Sequence, residues 1–310
     1  MTKLKLAFAG TPDFAKVILE ALIAEPDFNV VAVITQPDMP QGRKLTPTAP
    51  PVKALAQRFN LPCYQPQHIK QIYTALQELD LDLLIVAAYA QLVPKEILQL
   101  PKLGCLNVHG SLLPKYRGAS VIQAALINGD RETGISIIEM VEKLDAGAVL
   151  SQATLTIDPS DTTGTLSDRL AILGATTLVD TIKDYAKRNI EPQAQDEALV
   201  SYCPRLSKAD GLLDWNKSAV ELERFIRAMN PWPSAWTWLN GKQLKIISVK
   251  CIDGLDLHKP GKVFIYNNTL AIQTGQGALS VNQIQPEGKK VLSGQEFANG
   301  YHEAIGQILG

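Results

Sequence analysis

Three side chains in this sequence have the types needed to hold negative charge on oxygen and to move a proton. Asn107 and His109 stand two residues apart in Asn107-Val108-His109-Gly110-Ser111, at the end of an apolar run that begins at Cys105. Alternation along a strand puts both on one face. An amide donor beside an imidazole can bind a developing oxyanion and handle a proton. The same pair would also serve simply to satisfy the backbone of a loop. Asp145, in Leu144-Asp145-Ala146-Gly147, offers a carboxylate that could orient the His109 ring and fix its tautomer. An Asp close before a Gly is also a common turn former, and spacing alone does not bring Asp145 to His109. Gly10-Thr11-Pro12 sits where a dinucleotide fold carries its glycine-rich loop, but Pro12 and Ala15 hold the later glycine positions of G-x-G-x-x-G. Nicotinamide or flavin chemistry thereby loses its main support, and the loop reads as a tight strand-to-helix turn.

The elements that must position these residues follow from periodicity. Short apolar runs at 4–9, 30–35, 82–88, 105–109, 134–140 and 149–157 alternate with amphipathic segments in the first half of the chain. That is the pattern of βαβ units around a mostly parallel, Rossmann-like α/β sheet. Runs as apolar as 82–88 suit strands covered on both faces, and ligands of such sheets gather at the carboxyl ends of the strands. Thr11 is expected to cap a helix whose first residue is Pro12, with Phe14, Val17, Ile18, Ala21 and Leu22 on its buried face. A long helix over 166–185 closes this domain. The polar, proline-containing stretch 189–208 reads as a linker. Ser218 and Glu221 form a capping box for a helix to Met229. The period then becomes two, with Asn240-Gly241 as a hairpin turn. One helix and about five antiparallel strands suit a small β-barrel of the oligonucleotide-binding type; an SH3-like barrel or a simple sandwich fits the same pattern. Trp232, Trp236 and Trp238 could stack on bases, but the alternation makes barrel core and domain interface the expectation. The domains are thus 1–189, a linker 190–208, and 209–310.

Composition narrows the class. The 310 residues are 46% apolar and 20% charged, ordinary for a globular protein. The first apolar run is too short for a signal peptide, and the run from Leu83 to Val93, interrupted by Tyr89 and Gln91, is too short to span a membrane. Four well-separated cysteines, 63, 105, 203 and 251, form no C-x-x-C pair. A disulfide framework and a metal knuckle are both disfavoured, and a reducing cytoplasm fits. The formal net charge of −1 shows no global grip on nucleic acid. From residue 209 onward ten Lys or Arg stand against nine Asp or Glu, so any basic face must come from segregation in space. The loop 36–50 holds Pro37, Pro40, Pro47 and Pro50, with Gly42 and adjacent Arg43 and Lys44, and is not expected to form regular structure.

Ser111-Leu112-Leu113-Pro114-Lys115-Tyr116-Arg117-Gly118, directly after Asn107-x-His109-Gly110 and followed later by Leu144-Asp145-Ala146-Gly147, resembles the signature of the folate-dependent formyltransferases. The resemblance implies that Asn107, His109 and Asp145 are the catalytic trio. It places Ser111, Leu112, Leu113 and Pro114, together with Tyr89, Ala90 and Gln91, in the folate site. Leu213-Asp214-Trp215 and the segment from Arg227 to Pro233 are similar to the C-terminal domain of the methionyl-tRNA branch, and Gly42-Arg43-Lys44-Leu45 to its basic loop, one glycine short. This branch implies 10-formyltetrahydrofolate as formyl donor, methionyl-initiator tRNA as acceptor, Arg43 and Lys44 as tRNA contacts, and a role in translation initiation in the cytoplasm. It implies no metal, no membrane and no obligate protein partner. The alternative within the family is a formyltransferase acting on a nucleotide-linked amino sugar.

Overall fold

The computed structural model describes residues 3–41 and 46–310. Their contacts divide the chain into two units. The first comprises Met1–Val121, Glu132–Thr156 and Ser167–Cys203; the second comprises Ile122–Arg131, Ile157–Leu166 and Pro204–Gly310.

The strands of the first unit are β1 (Leu4–Gly10), β2 (Phe28–Ile34), β3 (Met39–Gln41), β4 (Thr46–Thr48), β5 (Cys63–Tyr64), β6 (Leu83–Ala87), β7 (Cys105–His109), β8 (Arg117–Gly118), β9 (Glu132–Glu139), β10 (Val149–Thr156) and β11 (Tyr202–Cys203). Seven form one sheet in the order β10-β9-β7-β6-β1-β2-β5. The stretch from β7 to β5 is parallel; β9 runs antiparallel to β7, and β10 to β9. Every residue of β6 is buried, as its unbroken apolar sequence requires of a strand covered on both faces. The chain leaves β1 for β2 on one side and returns through β6 on the other. A crevice therefore opens at the carboxyl ends of β1 and β6, next to β7.

Three expectations are corrected. The first helix spans Asp13–Ala24 with Pro12 as its N-cap and no side-chain cap. Thr11 therefore lies outside it, and its hydroxyl has no hydrogen-bond partner among the described residues. The loop 36–50 is not structureless, since β3 and β4 pair antiparallel through Met39↔Thr48, Pro40↔Pro47 and Gln41↔Thr46. Antiparallel positions alternate between pairs that exchange N–H···O bonds and pairs that do not, so two facing prolines fit where no donor is required. Arg43 and Lys44 lie outside the described residues. The stretch 189–208 is also more ordered than a linker: through Cys203 it is tied to the first unit. Gln193 and Val149 exchange backbone hydrogen bonds of 2.8 and 2.9 Å, and β11 pairs parallel with β8.

The second unit carries a helix, Ala219–Met229, opened by the expected capping box: Ser218 Oγ accepts from Glu221 N–H, and the Glu221 carboxylate accepts from Ser218 N–H. Its strands are β12 (Ala235–Leu239), β13 (Lys242–Ile252), β14 (Val263–Tyr266), β15 (Thr269–Gln273), β16 (Ala278–Pro286) and β17 (Leu292–Ser293). They form an antiparallel sheet in the order β12-β13-β16-β15-β14, with β17 beside β16. Asn240 and Gly241 both take positive φ, 49° and 74°, as a tight hairpin turn between β12 and β13 requires. Trp232, Trp236 and Trp238 are not in the sheet's core. On β12 the inward face is Ala235 and Thr237, at 1% and 0% exposed, so Trp236 and Trp238 share the outer face, where they meet edge to face at 5.2 Å. Trp232 and Trp238 are exposed. The core tryptophan is Trp215, whose indole N–H donates to Thr237 Oγ1 at 3.1 Å.

Candidate active site

β7 presents Asn107 and His109 on one face at its carboxyl end, the former half-buried and the latter 5% exposed. Asp145 arrives from the turn between β9 and β10, and its carboxylate gathers three donors or potential donors. Oδ1 accepts from Asn107 Nδ2 at 3.4 Å and lies 3.6 Å from His109 Nδ1; Oδ2 accepts from the Gly118 N–H at 2.8 Å. His109 Nε2 sits 2.8 Å from the carbonyl oxygen of Tyr116. A carbonyl only accepts, so Nε2 carries a hydrogen. Both ring nitrogens therefore have protein partners in this arrangement, and Nδ1 faces the carboxylate. The structure thus brings the three sequence-predicted residues together.

Local backbone explains the motif residues around them. Asp145 has φ 51° and Tyr116 φ 63°, left-handed conformations that non-glycine residues hold only when their surroundings enforce it. A Cβ on Gly147 would stand 1.6 Å from the Glu139 carbonyl oxygen, which explains the glycine that ends the Asp145 turn. Gly118, at φ 116°, allows its N–H to reach Asp145 while its α-carbon lies against the Cys203 carbonyl.

The residues expected in a folate site play distinguishable parts. Ser111 is fully buried and donates to the Lys115 and Tyr116 carbonyls at 2.8 and 3.2 Å, so its hydroxyl shapes its own loop. Leu113 N–H donates to Ser136 Oγ at 3.0 Å, and Gln152 Nε2 donates to the Leu113 carbonyl at 2.9 Å. Leu112 and Pro114 are half-buried. Tyr89 is 2% exposed, its hydroxyl has no partner among the described residues, and burial pushes its pKa up to about 12. Ala88 and Ala90, on either side of it, are exposed and hold φ of 46° and 66°. Gln91 accepts from Ile69 N–H at 2.9 Å and donates to the Gln67 carbonyl at 3.1 Å, bracing the neighbouring loop. Leu92, Val141 and Leu144 stay exposed. At the ends of β1 and β2 lies a cavity of about 310 Å³ lined by Thr11, Gln36, Met39 and four prolines among others.

Sequence reasoning assigned no role to Tyr116, Arg117 or Gly118, although all three lie in the quoted motif. It also passed over Gln195. Arg117 is fully buried, and its guanidinium donates to Gln195 Oε1 at 3.0 and 2.9 Å and to Glu197 Oε1 at 2.8 Å. Arg117, and then Lys143, hold the Glu197 carboxyl down at about 2. No period or motif marks Gln195, which sits in a polar stretch; only the folded contacts reveal it.

Comparison with known proteins gives the family. Residues 4–182 match a formyl transferase domain, and residues 205–302 a formyl transferase C-terminal domain. A methionyl-tRNA formyltransferase of Desulfotalea psychrophila is 46% identical over 300 residues, covering 96% of this chain and 93% of that one. One from Bacillus subtilis is 42% identical over 310 residues, covering 99% and 98%. Among solved structures, HypX from Aquifex aeolicus shares the fold with a TM-score of 0.69 at 15% identity, over 98% of this chain and 50% of HypX. An N-formyltransferase from Helicobacter canadensis, in complex with folinic acid and dTDP-3-aminofucose, does so with a TM-score of 0.66 at 19% identity, over 90% and 99%. On its domain matches, identity and coverage, the chain belongs to the formyltransferase family, among the methionyl-tRNA formyltransferases.

Proposed function

We propose that this chain transfers the formyl group of 10-formyltetrahydrofolate to the α-amine of methionyl-initiator tRNA, for the initiation of protein synthesis. The observation that carries the chemistry is the convergence of Asn107 and His109 on one oxygen of Asp145, at 3.4 and 3.6 Å. The acceptor follows from near full-length identity to methionyl-tRNA formyltransferases.

The amine must be neutral to attack the formyl carbon. Attack forms a carbon–nitrogen bond and places negative charge on the formyl oxygen. Collapse then breaks the bond to the folate nitrogen. The amine loses one proton and the departing nitrogen gains one, so the reaction is neutral overall. Asn107 gives one amide N–H to Asp145 and has a second for the oxyanion. His109 keeps its Nε2 hydrogen on Tyr116, so Nδ1, on the Asp145 side, is the ring position through which a proton passes. The Tyr116 carbonyl holds the ring in that tautomer, and the Asp145 carboxylate accepts a hydrogen bond from Nδ1 once that proton is on the ring. Tyr89, Ala90 and Gln91, with Ser111, Leu112, Leu113 and Pro114, frame the folate; the buried Tyr89 hydroxyl is a group that a polar ligand atom would satisfy. The proline-lined cavity beside Thr11 suits the aminoacyl end.

Arg43 and Lys44, between β3 and β4 in the sequence, contact the acceptor stem. The second unit adds backbone contacts. Lys242, Lys289 and Lys290 are exposed at adjoining ends of β13 and β16, where the Glu287 N–H meets the Gln243 carbonyl at 3.0 Å. No helix among the described residues is long and apolar enough to cross a membrane, and a reaction that consumes reduced folate and charged tRNA belongs in the cytoplasm. The test offers labelled formyl-folate together with charged initiator tRNA, charged elongator tRNA and an amino-sugar nucleotide. Formylation of the initiator is expected; label appearing only on the sugar would overturn the assignment.

A further inference from the structure

We infer that Gln195 is a positioning residue that locks together the two loops holding the trio. The inference rests on the reading of Asn107, His109 and Asp145 given above. Its side-chain oxygen accepts from Arg117 Nε at 3.0 Å and Nη2 at 2.9 Å. Its side-chain nitrogen donates to the carbonyl of Asp145 itself at 2.8 Å and to that of Gly147 at 2.7 Å. All four hydrogen-bonding positions of the amide are filled. The orientation is also unique: a flipped amide would set its NH2 against a guanidinium and its oxygen against two carbonyls.

Each partner leads directly to the trio. Arg117 lies between Tyr116, whose carbonyl holds His109 Nε2, and Gly118, whose N–H holds Asp145 Oδ2. Asp145 sits at φ 51°, which a non-glycine residue keeps only when held. The grip on its carbonyl fixes the peptide from which the carboxylate projects. Gln195 is itself fixed, because Gln193 pairs with Val149 and Glu197 accepts from Arg117 and from Lys143. A segment without apolar periodicity is thereby part of the active-site scaffold. It touches neither substrate in this reading and acts through the backbone of Asp145.

The decisive variant is Gln195→Glu. It keeps the shape and both acceptor contacts with Arg117 but replaces the NH2, which donates to two carbonyls, by one oxygen facing both. With full-length protein and methionyl-initiator tRNA, kcat should fall by at least about tenfold, with the KM for formyl-folate within about twofold of the parent, as loss of an interaction that aligns only the transition state dictates. In an Asp145→Ala background the same change should have little further effect on kcat, because its route to the chemistry is already gone. Gln195→Ala, in which water can reach the carbonyls, should behave similarly and serves if the glutamate variant does not fold. An unchanged kcat in a folded variant, or a loss that simply multiplies with Asp145→Ala, would overturn the inference; so would failure of both variants to fold, which would make Gln195 a folding residue. If the parent protein does not formylate the tRNA, the functional reading fails instead, and the two results are distinguishable.

Discussion

Replacement of Asp145 by Asn is the sharpest probe of the site because it preserves shape while changing one oxygen into a donor. In the parent, the carboxylate accepts from Gly118 N–H at 2.8 Å and Asn107 Nδ2 at 3.4 Å, with His109 Nδ1 at 3.6 Å. The new amide can keep its oxygen on only one side. Kept on Gly118, the shortest contact, it turns its NH2 toward Asn107 and His109. The Asn107 amide is then met by a like donor, and the imidazole loses its charged partner. Two contacts, at least one of them charge-assisted, are worth about 2 to 4 kcal/mol together, or roughly 30- to 1000-fold in rate if they act in the transition state. Among the described residues the Asp145 carboxylate is engaged by Asn107, His109 and Gly118 rather than by Tyr89 to Gln91, so folate affinity should hold. The assay is single-turnover transfer from labelled formyl-folate at saturation, beside direct folate binding. A large loss of folate affinity with unchanged turnover at saturation would show that Asp145 binds the donor and would refute this reasoning.

Four further outcomes are expected. Asn107→Ala and His109→Ala should each slow the chemical step by about two to three orders of magnitude with folding intact, checked by single turnover and thermal melts. Arg43→Ala should lower kcat/KM for initiator tRNA and shrink its advantage over elongator tRNA at fixed salt, whereas removal of Lys289 and Lys290 should weaken both tRNAs alike and flatten the salt dependence; equal kinetics for Arg43→Ala and parent would move selection away from the hairpin. Glu197 has a folded pKa of about 2, below its ordinary value of 4.5, through Arg117 first and Lys143 second. Its contribution is therefore full above the ordinary value and fades as pH falls toward 2, so urea melts of parent and Glu197→Gln should differ near neutrality and converge in acid. Thr35 is fully buried with a hydroxyl lacking a partner among the described residues, so Thr35→Val should raise stability by about 1 kcal/mol, read from denaturant midpoints.

Much of the scaffold is legible in the chain because it is local. The apolar run at 82–88 suits a doubly covered strand, and Ser218 with Glu221 marks the opening of a helix; both are found. Asn107 and His109 share a face by the two-residue period of a strand, which needs no tertiary information. The unusual segment from Ser111 to Gly118 and the turn at Asp145 marked the chemistry by their resemblance to a family. Periodicity misled at Trp236 and Trp238: it states that two residues share a face, not which face is inward, and the small Ala235 and Thr237 took the core side.

What tertiary structure alone decided is how separate loops meet. Asp145 reaches Asn107 and Gly118 across 38 and 27 residues of sequence, and Gln195 reaches Arg117 across 78. Such contacts leave no period, because they depend on where the backbone of β7, the Asp145 turn and the stretch after the long helix are carried by the sheet. The same holds for Ser111, which the family resemblance placed in the folate site and whose hydroxyl is used by its own loop. Residue type and spacing name the chemistry a chain can perform; the closing of distant loops around β7 determines which atoms are free to perform it, because each buried donor or acceptor must first be satisfied by whatever the fold brings within reach.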